Sequence, residues 1–281
     1  LQQFARRFYV PFGYLFLHEV PAETIPFPMF RGEAGDNNHF DLNVYDTVNH
    51  IRNRQDWLAE YLTENEIDTC QLVNSITLQT PIGESVNLLR RELALDPRWA
   101  FSLARTDIAV GLLTEKLEQA GFFVAYNGVV GNNTQRALKV SECRGFALVN
   151  EVAPYIFVNS ADSKSAQLFT LVHEAAHIML GVSAGHAGEE MMAHDAYENY
   201  CDRFAAEFLV PADVLRETWN GDIKKHSRHF KASEIVVARR AHDLNLLSDA
   251  AYRNFWMEYS HRPISAPKKG GGGDFYLTSV K

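Results

Sequence analysis

Cysteine is scarce, with three in 281 residues, at positions 70, 143 and 201. They are odd in number and far apart, so no disulfide framework can be read from them, and a reducing, cytoplasmic setting is expected. Long apolar runs are missing as well. No stretch reaches 18 residues and no leader-type apolar segment stands near the start, so the sequence predicts no membrane span, no export signal and no membrane partner. Positive charge is in deficit: 27 Lys and Arg against 35 Asp and Glu leave a net −8, which argues against the whole chain as a nucleic-acid binder. Internal repeats are not found. Apolar side chains are plentiful, at 46% against 22% charged, enough for a sizeable core in one large domain or two to three small ones.

The pattern along the chain divides it. Residues 1–20 read as a short helix, a turn at Pro11 to Gly13 and an apolar tail. Prolines at 21, 26 and 28 and glycines at 32 and 35 mark an irregular arm. From Asp46 to about Asn65, Val48, Ile51, Trp57, Leu58, Tyr61 and Leu62 recur at near-helical spacing, which predicts an amphipathic helix. Residues 66–84 fit no pattern. Ser85 to Leu95 and Ile108 to Ala120 read as helices, the second closed by Gly121. GFFVAY (121–126) reads as a strand, and GFALVN (145–150) with PYIFVN (154–159) as a hairpin. Asp162 or Ser163 then caps a helix that ends at Gly181. A polar loop precedes a further helix from about Tyr197 to Val210, stopped by Pro211.

The first of these two helices carries LVHEAAHIML (171–180), with His173, Glu174 and His177 spaced H-E-x-x-H. Residues four apart on a helix lie on one face, one turn apart. Both imidazoles can therefore reach one ion, as zinc requires at about 2.0–2.1 Å per nitrogen. Glu174 lies beside that face, placed to act on a water as a general base rather than on the metal. The alternative is a buried helix that happens to hold two histidines. A catalytic zinc takes a third protein ligand. His186, Glu189, Glu190, His194, Asp195, Glu198 and Asp202 all follow within reach. Glu198 and Asp202 stand four apart on a helix whose other face is apolar (Phe204, Ala205, Phe208, Leu209). Packed against the first helix, that pair puts Glu198 near the ion and lets Asp202 accept the second ring proton of His173 or His177.

LVHEAAHIMLG followed by ENYCDRFAAEFLVP (198–211) resembles the ImmA/IrrE family of zinc metallopeptidases. That family shows HExxH and then a helix of the form E-x-x-[AC]-[ND]-x-F-A-A-x-L-[LM]-x-P. Glu198, Cys201 and Asp202 stand at the Glu, small-residue and Asn/Asp places, and the lead-in NSADSKSAQLFTLVHE is similar too. The likeness covers about residues 85–220. It implies His173, His177 and Glu198 as ligands of Zn2+ and Glu174 as general base. It implies an α+β fold, mostly helical with a small mixed sheet, a zincin-like metallopeptidase core around the HExxH helix. The place of Cys201 is one of packing rather than of a nucleophile or ligand.

Family members typically cleave one regulatory protein, so a repressor or antitoxin-like partner is expected, in stress response, mobile-element control or phage defence. Some members follow an Xre-type helix-turn-helix, and residues 1–20 resemble the end of one. DNA would then be read by helices upstream, and the alternative function is a transcriptional regulator or antitoxin whose zinc fold senses a partner without turnover. The expected organisation is 1–20 as that remnant, 21–84 as arm and helix, 85–220 as the metallopeptidase-like domain, 221–269 as a helical lobe and 270–281 as a glycine-rich hinge opening a further segment. Both ends read as cut, and a homodimer is left open. An oxyanion donor is expected among His186, His194, Tyr155 and Tyr200, and the strands at 145–149 and 154–158 are expected to offer a peptide-pairing edge. Residues 221–242 carry a local net of +4, read as a solvated face of the lobe with phosphate contact as the alternative.

Overall fold

The computed structural model describes residues 1–8, 10, 12–19, 41–68, 70–182 and 191–262. Its helices are α1 (Gln2–Phe8), α2 (Leu42–Glu64), α3 (Ile82–Glu92), α4 (Thr106–Gln119), α5 (Lys164–Met179), α6 (Met191–Leu209), α7 (Ala212–Thr218), α8 (Ile223–Phe230), α9 (Glu234–Asp243) and α10 (Asp249–Ser260). Strands β1 (Phe123–Asn127), β4 (Gly145–Leu148) and β5 (Tyr155–Asn159) form one sheet, and β2 (Val129–Val130) with β3 (Asn133–Ala137) a small hairpin. The fold is α+β, mostly helical around a small mixed sheet, as expected. Among the described residues no helix is long and apolar enough to cross a membrane.

The sheet has the order β1-β5-β4, with β5 parallel to β1 and antiparallel to β4. Side chains alternate between its faces. Val124, Ala147, Ile156 and Val158 enter the main core with α5, while Ala125, Phe146, Leu148 and Phe157 form a second core with Val44, Val48 and Ile51 of α2. Gln55 of α2 fastens this second layer. Its buried amide donates to the carbonyls of Leu148 and Ala153, both at 2.8 Å.

Helix α5 lies in the middle of the main core, and residues 170–179 are all buried. A helix apolar on every side suits such a position. Ser163 caps its start by accepting from the Ala166 amide, and Gln167 donates to the carbonyls of Ser160 and Asp162. At its end the amides of Asn74 and Ile76 bind the carbonyls of Ile178 and Met179 at 3.1 Å. Residues 74–76, within the stretch that fits no pattern, therefore serve as a cap. They satisfy carbonyls that a helix terminus leaves open. Gly181 follows at φ +68°, and a Cβ there would lie 2.7 Å from Asn74 Oδ1.

Three expectations need correction. Trp57 and Tyr61 do not share the buried face of α2. They are 65% and 50% exposed and stack on each other at 5.7 Å. The buried stripe is Val44, Thr47, Val48, Ile51 and Gln55, the half of the helix lying over the sheet. Helix α6 begins six residues before Tyr197, because the strong helix formers Met191, Met192 and Ala193 extend it where polar neighbours suggested a loop. Near the start, Gly13 and the apolar residues after it form a 3₁₀ turn (Phe12–Phe16) rather than a tail. Pro11, the arm 21–40 and the hinge lie outside the described residues.

Helix α6 is tied to α3 by Arg90, whose buried guanidinium donates to the carbonyls of Glu207 and Phe208 at 2.9 Å. Burial pulls its pKa down to about 10, still far above neutrality. The Arg90→Ala variant leaves the last carbonyls of α6 without their charged donor. It is expected to lose about 2–3 kcal/mol of stability, read as a lower urea midpoint at unchanged slope.

Candidate metal centre

The four-residue spacing on α5 and the packing of α6 across it bring three side chains together. His173 Nε2 lies 3.2 Å from Glu198 Oε2, His177 Nε2 lies 2.9 Å from Glu198 Oε1, and the two Nε2 atoms are 3.1 Å apart. His173 is 4% and His177 2% exposed. Burial pushes the Glu198 carboxyl up, but hydrogen bonding to both histidines and their charge outweigh it and hold the carboxyl well below the usual carboxylate range. Behind the cluster, His173 Nδ1 lies 3.0 Å from Asp202 Oδ1, the position expected of a group that orients a ligating ring. His177 Nδ1 is buried without a hydrogen-bond partner among the described residues.

These three groups fit a metal ion. They are electron-pair donors pointing at one small space, and each is of a type that binds zinc. Tetrahedral ligands at about 2.0–2.1 Å from an ion stand roughly 3.3–3.4 Å from one another. The observed 2.9–3.2 Å edges come close to that. Protons can link such a triangle only in part, whereas one divalent cation satisfies all three donors.

Glu174 is 7% exposed and faces the start of β4. A Cβ on Gly145 would lie 3.6 Å from Glu174 Oε1, 2.6 Å from the Phe157 carbonyl and 2.4 Å from Thr170 Cγ2. Gly145 thus lets β4 press onto α5 beside the carboxylate. Sequence reasoning missed this residue, although a glycine in a strand signals close backbone approach. Burial, with the Glu174 charge next in order, pushes the thiol of nearby Cys143 up to about 12.

Other candidates are placed elsewhere. The Tyr200 hydroxyl bonds Ser85 Oγ at 2.6 Å and the Thr80 carbonyl at 2.8 Å, so it faces α3. Tyr155 lies on the sheet face turned to α2, opposite α5, stacked on Phe123. Neither is brought to the cluster. His186, Glu189 and Glu190 lie outside the described residues, as do the side chains of His194 and Asp195. Cys201 packs in the main core, and none of the three cysteines is in a disulfide. Of the two strands expected to offer an edge, β5 is central and paired on both sides. That leaves β4, whose Leu148 carbonyl is already taken by Gln55. In the basic stretch, Arg239 pairs with Asp243 and Arg240 with Glu207, while Lys224, Lys225 and Arg228 are exposed on α8.

Residues 131–242 match the family described as the IrrE N-terminal-like domain, Peptidase_M78. The matched span holds α5 and α6 and so every member of the cluster. A comparison with curated proteins finds no match.

Proposed function

From the match of residues 131–242 to the Peptidase_M78 family, which is of ImmA/IrrE type, we propose that the protein is a zinc-dependent endopeptidase acting on a regulatory protein partner. The observation that carries this reading is the triangle of His173, His177 and Glu198, with donor edges of 2.9–3.2 Å and Glu174 buried one residue from the first ligand. A structural zinc site is closed by four protein ligands. Among the described residues this cluster has three, which leaves a position for chemistry.

His173, His177 and Glu198 would hold the ion, and Asp202 would fix the His173 ring. When bound, zinc polarises a peptide carbonyl and makes a neighbouring water more acidic. Glu174 takes the proton from the attacking water and hands it to the leaving amine, as a carboxylate facing a dry site can. The open edge of β4 beside Gly145 would pair with an extended substrate backbone and set the scissile bond near Glu174. The expected partner is a repressor or antitoxin-like protein in the reducing interior of a cell. DNA contact belongs to an upstream helix-turn-helix, if the whole protein carries one.

Metal content of the purified chain tests the site. About one zinc per chain is expected, with His177→Ala and Glu198→Ala each dropping it to background at micromolar free zinc. Wild-type protein that takes up no zinc on dialysis against the metal would rule the proposal out.

A further inference from the structure

A second concave region lies beside α6. It is a groove of about 860 Å3 between α6, α9 and α10, lined also by Phe169 of α5. Small-molecule sites fall at about 300–1,000 Å3. Ile235, Val236, Trp256 and Met257 give the groove an apolar wall. Trp256 is half exposed, and α10 has no fully buried residue. A tryptophan and a methionine held in water on one short helix suit a surface that is covered by a ligand.

The charges in the groove do not cancel. Arg203, Arg239, Arg240 and Arg253 line it against Asp202 and Asp243. Arg239 is matched by Asp243 and Arg240 by Glu207, while Asp202 is turned to His173. Arg203 and Arg253 are left without a hydrogen bond or a contact ion pair among the described residues, although the Arg253 charge reaches Asp249. Asp249, one turn before Arg253, is itself held by His242 at 2.7 Å. Burial lowers the Arg240 pKa, Asp243 offsets part of that, and the Arg203 charge adds to the lowering, so the Arg203 and Arg240 guanidiniums lie close enough to repel each other. Guanidinium groups are well suited to bind carboxylate and phosphate oxygens and to lie on aromatic faces.

We infer that this groove is a binding site for a small amphipathic organic anion, whose acidic group is held by Arg203 and Arg253 and whose apolar body rests on Trp256 and Met257. The inference does not depend on the metal centre.

The test titrates the full chain with 8-anilinonaphthalene-1-sulfonate, an aromatic sulfonate, and follows dye fluorescence. One saturable site is expected. Arg203→Gln, Arg253→Gln and Trp256→Ala should each weaken binding roughly tenfold, the scale of one charge-assisted or stacking contact. His177→Ala and Trp57→Ala should leave it unchanged, which separates this site from the metal centre and from the other exposed aromatic pair. Arg203→Lys and Arg253→Lys keep the charge and are expected to keep the dye. The proposal is overturned if no saturable site appears, if a folded Gln double variant binds as the wild type does, or if a folded Lys variant has lost the dye. Binding of an acidic peptide with no binding of the dye would assign the groove to a protein partner instead, and would equally overturn it.

Discussion

The Glu174→Gln variant is expected to keep its zinc and lose its cleavage. The amide has nearly the size of the carboxylate and sits one residue from His173, outside the triangle proposed to hold the ion, so metal content should stay at about one per chain. Gln cannot take a proton from water. General-base catalysis contributes about 10²–10⁴-fold, so turnover should fall at least that far, equivalent to roughly 3–5 kcal/mol of barrier. The measurement is the appearance of new protein N-termini in a host-cell extract, with wild type and variant loaded with zinc alike. Variant protein that generates the same termini at the wild-type rate would remove Glu174 from its role while leaving the metal site standing. Loss of metal together with activity would instead make Glu174 a structural support of the cluster.

The largest loss of stability is expected from Gly145→Ala. The new Cβ would meet Thr170 Cγ2 at 2.4 Å and the Phe157 carbonyl at 2.6 Å. One is a β-branched side chain with little rotamer freedom in a helix, and the other is backbone of the central strand. Neither can give way alone, so β4 must separate from α5. Overpacking of this kind costs about 1–3 kcal/mol, occasionally more, and the upper end is expected here because both obstacles are rigid. Urea unfolding at unchanged slope reads the loss. Thr170→Ser removes one obstacle, and in the double variant it should recover part of the loss, a coupling between neighbours that distant sites do not show. Wild-type stability in Gly145→Ala would mean that the strand does not approach the helix this closely.

Much of the fold was legible because its elements are strongly patterned. The 3.6-residue period and the Ser163 cap located α5, and the alternating GFALVN and PYIFVN segments located β4 and β5. The pairing of His173 with His177 follows from helix geometry alone. The inclusion of Glu198 needed a tertiary contact, α6 across α5, which local pattern does not contain and which the family likeness supplied. The failures have the same origin. Trp57 and Tyr61 have the right period for a core face, but the sheet beneath α2 ends before them. Tyr155 and Tyr200 have the right chemistry for an oxyanion donor, but the sheet and α3 turn their hydroxyls away. The segment 66–84 has no period because its middle, at Asn74 and Ile76, follows the end of α5, and only its last three residues begin a helix of their own.

The position of β5 separates two boundaries that are easily taken as one. Residues 131–242 carry α5 and α6 with the His173, His177 and Glu198 cluster, yet β1 pairs with β5 from residues 123–127, and Val44, Val48, Ile51 and Gln55 cover the opposite face of the sheet. Cut at residue 131, the chain would keep His173, His177 and Glu198. It would also turn its central strand into a bare rim, with Phe146 and Phe157 facing water, an invitation to join a second copy edge to edge. The stretch that a family shares and the stretch that can stand by itself are therefore different lengths of this polypeptide. The side-chain cluster lies within one piece, and the cover that guards the sheet against aggregation is supplied by another.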